Sequence, residues 1–352
     1  MGDVNRQNIQ KFEKMLADAS SPVIVTHMKP DGDAIGSSTA MYHFLKDIFH
    51  RNAKIVLQDR WPEYLGFLTD GHIAEDFIIY SEDAEGAVSA IRGSDLIICL
   101  DFNAFHRIEK LEKQLSGSTA PKILIDHHLN PDISRFSLSF SETGISSASE
   151  LLFCILMQTS HISGQAGRLP KTAATALMTG MTTDTNNFSN SVFPSTLRMA
   201  SELLEAGVDR DMILNHLYNQ FKELRLRLLG HMMKDLMKIT DDGVAYIVLD
   251  KDTMNLYRTA EGDTEGFVNY PLSIATVRMS LLLKEDDGFM RVSIRSKKGI
   301  SANRCAKSYF NGGGHENAAG GRLYIPADIS RVEDAAEYIE TKTHKFFTED
   351  EI

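Results

Sequence analysis

Apolar and polar positions recur in a regular order along the first half of the chain. Residues 9–19 carry apolar side chains at helical spacing. PVIVTH (22–27) follows as a short apolar run ending in polar residues, and 34–49 returns to helical spacing. KIVLQ (54–58), DLIICLD (95–101) and KILIDHH (122–128) are further short apolar runs, with helical patterns near 84–92 and 104–115 between them. Apolar runs separated by helical segments predict a mainly parallel sheet with helices on both faces. The expected class is therefore α/β. Ligands of such sheets collect at the carboxyl ends of the strands, and three of these runs end in reactive side chains: His27, Asp101 and Asp126-His127-His128.

Helical spacing continues over 145–160, 170–181 and 195–206, and a long charged, apolar-periodic segment at 210–238 reads as a connecting helix. β patterning restarts in ITDDGVAYIVLD (239–250), with strands near 244–249, 274–283 and 289–296 and helices near 303–310 and 331–346. The expected organisation is a first domain over 1–209, the connector, and a smaller second α/β domain over 239–352. The length of 352 residues suits two cores better than one.

Composition narrows the function classes. Apolar residues make up 43 % of the chain, enough for sizeable cores. No stretch approaches the roughly 18 apolar residues of a membrane helix, and MGDVNRQNIQKFEKML lacks the apolar run of a secretion signal. Cys99, Cys154 and Cys305 have no metal-binding spacing and read as reduced packing residues. A cytoplasmic protein without a membrane partner is expected. A net charge of −11 argues against binding long duplex nucleic acid. A small anionic substrate remains open, because carboxylates that hold cations make a chain acidic yet become a locally positive site once loaded.

Five segments carry candidate chemistry. In THMKPDGDAIGSS (26–38), His27, Asp31 and Asp33 lie within seven residues, and Gly32 allows a tight turn that aims the two acids differently. Pro-Asp-Gly-Asp is also ordinary turn chemistry, with Asp33 free to cap the next helix. Asp101, directly after LIICL, is either delivered to a site or caps a helix starting near Ala104. Asp126-His127-His128 combines imidazole with carboxylate, which suits borderline divalent ions. An acid beside a ligating histidine can also fix its tautomer. Asp184 in LMTGMTTDTNNFSN (177–190) follows an apolar helix and could be no more than its end. NGGGHENAAGG (311–321) offers close backbone approach at Gly312, Gly313 and Gly314, with side-chain donors at His315 and Asn317. Upstream, VSIRSKKG (292–299) puts Ser293 and Arg295 on one strand face, and Arg295 is a natural phosphate fork. A bland glycine turn and a solvated basic edge are the alternatives for these last two features.

In this order, HMKPDGDAIGS, LDFN, DHH, GMTTDT and GGGHENAAG resemble the DHH phosphoesterases that carry a DHHA1 domain. The resemblance spans about 20–330, and within the family it is nearest to the stand-alone nano-RNase and 3′-phosphoadenosine-5′-phosphate phosphatase group. EGFVNYPLSIATV (265–277) is similar to that group as well. The resemblance implies two manganese ions, with magnesium or cobalt as substitutes. His27 and Asp31 would hold one ion, Asp33, His127 and Asp184 the other, and Asp101 would bridge them. Asp126 would orient a histidine, and His128 would contact the scissile phosphate or its leaving group. Arg295, His315 and the backbone at Gly312–Gly314 would grip the substrate's far end. Asn103, Arg278 and Arg304 receive no role.

Two divalent ions would activate water for in-line attack on phosphorus. The five clustered carboxylates would repel one another without cations. The implied substrates are short oligonucleotides such as pApA or pGpG and the 3′,5′-bisphosphate nucleotide. Cyclic dinucleotides, pyrophosphate or polyphosphate, and longer single strands are the alternatives. A nucleotide-binding regulator with a decayed site is disfavoured, because every implied metal ligand is present. Monomer and homodimer both remain open.

Overall fold

The computed structural model describes residues 5–69, 71–260 and 262–349. The chain divides into two compact units, Met1–Gln220 and Phe221–Ile352. No helix among the described residues is long and apolar enough to cross a membrane.

The first unit is built on six strands: β1 (Pro22–Val25), β2 (Lys54–Leu57), β3 (Phe77–Ile79), β4 (Leu96–Leu100), β5 (Lys122–Asp126) and β6 (Leu138–Ser141). Their order is β3-β2-β1-β4-β5-β6, and every neighbouring pair is parallel. The order reverses between β1 and β4, the position where open sheets of this type leave a crevice at the carboxyl edge.

The continuous apolar runs are explained by burial on both faces. Along β4, Leu96, Ile98 and Leu100 join a core with the helices Arg6–Asp18, Gly32–Ile48, Ala148–Met157 and Lys171–Asp184. The alternate residues Ile97 and Cys99 join a second core with the helix Ala84–Gly93 and the segment Phe105–Leu115. The two edge strands β3 and β6 were not anticipated. Both are short and only half covered: β3 (FII) is just three residues long, and β6 (LSFS) alternates instead of forming an apolar run.

The helix Gly32–Ile48 approaches Lys171–Asp184 closely because glycines meet there. A Cβ on Gly36 would lie 2.6 Å from the Ala176 carbonyl oxygen and 2.9 Å from Gly180 Cα. One on Gly32 would run into the Thr183 side chain at 2.4 Å.

The connecting helix expected over 210–238 is instead two helices, Arg210–Tyr218 and Glu223–His231, followed by a π turn at Met232–Leu236. The apolar periodicity is real, but it serves two cores. Ile213 and Leu217 belong to the first unit's core, and Leu228 and Met232 to a core of the second.

The second unit has β7 (Lys238–Ile239), β8 (Val244–Leu249), β9 (Met279–Asp286), β10 (Phe289–Ser296), β11 (Gly313–Gly314) and β12 (Ala318–Tyr324), in the order β11-β12-β10-β9-β8-β7. Among the described residues of this unit, only β8 and β9 run parallel. β9 begins at Met279, later than the periodicity suggests, because the chain leaves the 3-10 helix Phe267–Ser273 through a turn in which Val277 N–H donates to the Ile274 carbonyl at 3.1 Å. One sheet face packs on the helices Ala302–Tyr309 and Ala335–Glu349. Ile247, Leu249 and Leu282 on the other face meet Phe267 and Leu228.

Candidate metal centre

β1, β4 and β5 end side by side, so the residues after them share one edge of the sheet. Asp101 follows β4 in the left-handed region, with φ 61°. That conformation costs a non-glycine residue about 1–3 kcal/mol. Its N–H donates to the Ile125 carbonyl at 3.0 Å, which ties it to β5. The following 3-10 helix starts at Phe105 with no side-chain cap, so Asp101 is not spent on capping.

The Asp101 carboxylate is buried and its two oxygens face different histidines. Oδ2 lies 3.5 Å from His27 Nε2, and Oδ1 lies 3.4 Å from His127 Nε2. Around His27, Asp31 Oδ1 comes within 3.9 Å of Nε2. Around His127 Nε2, Asp184 Oδ2 lies at 3.4 Å and Asp33 Oδ2 at 3.9 Å. Two groups thus share Asp101: His27 with Asp31, and His127 with Asp33 and Asp184.

The two acids of the Pro-Asp-Gly-Asp turn divide their duties differently from the capping alternative. Asp31 is the N-cap of Gly32–Ile48, with Oδ1 accepting from the N–H groups of Asp33 at 3.0 Å and Ala34 at 3.1 Å. Asp33 lies inside that helix and reaches the start of another. Its Oδ2 accepts from Ala148 N–H at 2.6 Å and its Oδ1 from Ser149 N–H at 2.9 Å. The bare Cα of Gly180 makes room for this, since a Cβ there would lie 2.0 Å from Ser149 Oγ and 2.8 Å from Asp33 Oδ1. Ala148, Ser149 and Gly180 escaped the sequence reading. The available signal was the cap-like SSASE at 146–150, which says where a helix starts but not what its N–H groups meet.

Electrostatics mark the centre as unbalanced. Burial opposes the charged form of His27, yet Asp101 and Asp31 raise it to about 9. His127 is raised to about 10 against its burial by Asp101, Asp184 and Asp33. Burial first, then repulsion from Asp101, pushes Asp33 up to about 7. Asp184 is driven well above the carboxylate range, chiefly by burial. Burial pushes Asp101 the same way, but His127 and His27 hold it well below that range.

These residues suit divalent cations. His27 Nδ1 lies 2.8 Å from the Met28 carbonyl, so the neutral ring that a cation would require keeps its proton on Nδ1 and has its lone pair on Nε2, facing two carboxylates. Asp101 Oδ1 is buried with no hydrogen-bond partner. Separations of 3.4–3.9 Å are too long for good hydrogen bonds. They suit donors that share an ion bound at roughly 2.0–2.2 Å. Asp31, Asp33, Asp101 and Asp184 would together offset two doubly charged ions.

Asp126 and His128 adjoin this row, with His128 Nδ1 3.7 Å from Asp101 Oδ1. Asp126 is fully buried, with Oδ1 2.8 Å from His128 Nδ1 and Oδ2 accepting the His128 backbone N–H at 3.2 Å. This pairing fixes the ring and puts the Nδ1 proton against the carboxylate. Asn103 Nδ2 donates to the Leu129 carbonyl at 2.8 Å, which makes it a brace for the loop after β5.

In the second unit, Ser293 and Arg295 share the face of β10 turned away from the buried residues Val292 and Ile294. The glycine segment is not an open loop. β11 pairs with β12, and Gly312 N–H donates to the Ala306 carbonyl at 3.2 Å. A Cβ on Gly312 would lie 1.9 Å from the Gly320 carbonyl oxygen, and one on Gly314, at φ 148°, 2.7 Å from that of Ala318. His315 sits at the turn, its N–H donating to Ala318 at 2.8 Å. Asn317 Nδ2 lies 3.1 Å from Ser296 Oγ and from the carbonyls of Lys297 and Ile300. The donor that the sequence offers to a ligand therefore holds the 296–300 turn. Arg278 and Arg304 lie over the rings of Phe347 and Phe346.

Comparison with known proteins gives two matching families: the DHH family, N-terminal domain, over residues 22–181, and the DHHA1 domain over 253–343. A Streptococcus mutans protein named probable bifunctional oligoribonuclease and PAP phosphatase NrnA is 30 % identical over 87 % of this chain and 90 % of its own. The Bacillus subtilis bifunctional oligoribonuclease and PAP phosphatase NrnA is 27 % identical over 88 % of this chain and 91 % of its own. The crystal structure of an exopolyphosphatase-related protein from Bacteroides fragilis is 36 % identical, with a TM-score of 0.88 and 98 % of both chains covered.

Proposed function

Because the chain belongs to the DHH family of metal-dependent phosphoesterases and carries a DHHA1 domain, we propose that it hydrolyses short 5′-phosphorylated oligonucleotides, linear dinucleotides and 3′,5′-bisphosphate nucleotide in the cytoplasm, with two manganese ions. The observation that carries this reading is Asp101, a buried acid with one oxygen toward each of two histidine–carboxylate groups. In this reading His27 and Asp31 hold one ion, Asp33, His127 and Asp184 the other, and Asp101 both. When bound, such ions supply Lewis acidity toward the phosphoryl oxygens and an activated water.

The chain's own residues do the rest. The Met28 carbonyl and the Asp101–Ile125 bond hold His27 and Asp101 in place before any ligand arrives. Asp126 keeps the Nδ1 proton of His128, so Nε2 is the atom that meets the scissile phosphate or its leaving oxygen. Arg295 and Ser293 supply donors for a second phosphate, and His315 supports the substrate's far end. The structural work of Gly312, Gly314 and Asn317 makes them the frame of that grip.

The test is product release from a panel with and without added Mn2+: 5′-phosphorylated dinucleotides, the bisphosphate nucleotide, cyclic di-adenylate, pyrophosphate, polyphosphate and a long single strand. Fast Mn2+-dependent cleavage of the dinucleotides or the bisphosphate, with the long strand nearly inert, is the expected result. Preferred cleavage of polyphosphate, pyrophosphate, the cyclic dinucleotide or the long strand would overturn the substrate assignment.

A further inference from the structure

The first turn of Ala148–Met157 is buried from Ser146 to Glu150. Ser147 caps the helix, its Oγ accepting the Glu150 N–H at 3.0 Å. A glutamate at this position ordinarily reaches back to the N–H of the capping residue. Glu150 reaches one residue further. Its Oε2 accepts from Ser146 N–H at 3.1 Å and from the Ser146 hydroxyl. The same oxygen accepts from Thr196 Oγ1 at 2.7 Å. Thr196 Oγ1 in turn accepts the Phe193 N–H at 3.1 Å, at the start of the helix Pro194–Glu205. Glu150 Oε1 is buried with no hydrogen-bond partner, and no cation pairs with the carboxylate among the described residues.

A fully buried acid with one unpartnered oxygen is costly, and these three bonds offset only part of that cost. Its position suggests what it supports. Pinning Ser146 fixes the backbone that points Ala148 N–H and Ser149 N–H at Asp33. The bond to Thr196 ties that backbone to the end of the segment running on from Asp184. Asp33 and Asp184 both face His127 Nε2. None of these bonds reaches His27 or Asp31.

We infer that Glu150 is a positioning residue for the Asp33–His127–Asp184 half of the centre, acting through two helix starts and touching neither ion nor substrate. The inference rests on the two-ion reading above. The experiment is calorimetric titration of the full chain with Mn2+, with free ion counted by electron paramagnetic resonance, for the parent, Glu150→Ala, Glu150→Gln and Thr196→Val. The parent should bind two ions. Glu150→Ala should keep one at parental affinity and bind the other about tenfold or more weakly, the scale on which residues supporting metal ligands act. Thr196→Val, which removes a single donor and serves if Glu150→Ala fails to fold, should weaken the same ion less. Glu150→Gln keeps an acceptor oxygen and should retain most of the affinity. Both ions weakening together, or neither, would overturn the role of Glu150. A parent that binds fewer than two ions would instead sink the reading on which it rests.

Discussion

Asp101 presents its two oxygens to two imidazoles 3.4 and 3.5 Å away, whereas Arg295 lies on a strand of the second unit. Replacing them should have different kinetic signatures. Asp101→Ala should abolish turnover, because the proposed ligand common to both groups is lost. Near-normal steady-state rates in that variant would sink the shared-ligand assignment. Arg295→Ala should mainly raise KM. A charge-assisted hydrogen bond contributes about 1.5–3 kcal/mol, which corresponds to roughly 10- to 150-fold at about 1.4 kcal/mol per decade. An unchanged KM with reduced kcat would remove Arg295 from substrate binding. His128→Ala should lower kcat about 10²- to 10⁴-fold, the range of positioned proton donors, while Mn2+ binding by calorimetry stays near parental. Loss of an ion in that variant would make His128 a ligand.

At the scale of elements, the centre depends on how closely Lys171–Asp184 approaches Gly32–Ile48 and Ala148–Met157. Gly36 and Gly180 permit that approach, and each leaves no room for a Cβ. Overpacking costs about 1–3 kcal/mol, so Gly36→Ala and Gly180→Ala should both lower the melting temperature. Gly180→Ala should also weaken Mn2+ binding, because the added carbon lies against Asp33 Oδ1 and Ser149 Oγ. Equal metal affinity in the two variants would show that the helix contact matters for stability alone. These contacts are hard to see in a sequence. LMTGMTTDT shows a helix with small residues, but Asp33 and Ala148 are 115 positions apart and nothing local pairs them. The strand-end acids were legible because a buried apolar run that stops at an acid or histidine is a local pattern. NGGGHENAAGG was legible as a close-approach element, but what approaches is β12, and only strand pairing revealed that.

For the whole molecule, the proposed ligands all lie in the first unit, between His27 and Asp184. Hydrogen exchange should therefore show Mn2+-dependent protection near 22–36, 96–103, 122–130 and 176–190. A non-cleavable dinucleotide should add protection near 290–320, and its absence there would remove the second unit from substrate binding. The protonation pattern sets a pH dependence for metal-free protein. His27 at about 9 and His127 at about 10 hold protons more tightly than the ordinary 6.5, so their stabilisation is full below 6.5 and lost as pH rises through those values. Asp33, raised from 3.8 to about 7, acts in the same direction at lower pH. Chelated protein should melt lower at about pH 9 than at about pH 6. The Mn2+-induced rise in melting temperature should grow with pH, because ligands must lose protons to bind. A flat melting temperature across that range would show that the centre relaxes when empty.

The sequence by itself determined the α/β class, the strands that end in chemistry, the restart of a second domain and the identity of the acids and histidines brought together. Each of these is written in local periodicity, in where an apolar run stops, or in short motifs. Tertiary structure alone decided that 210–238 serves two cores, that Asp31 caps its own helix while Asp33 takes the start of another, and that Asp101 faces two histidines at once. It also decided that the glycines and Asn317 are committed to their own hairpin and turn. These outcomes depend on register and on the close approach of segments far apart in the chain, which no local pattern of polar and apolar residues encodes.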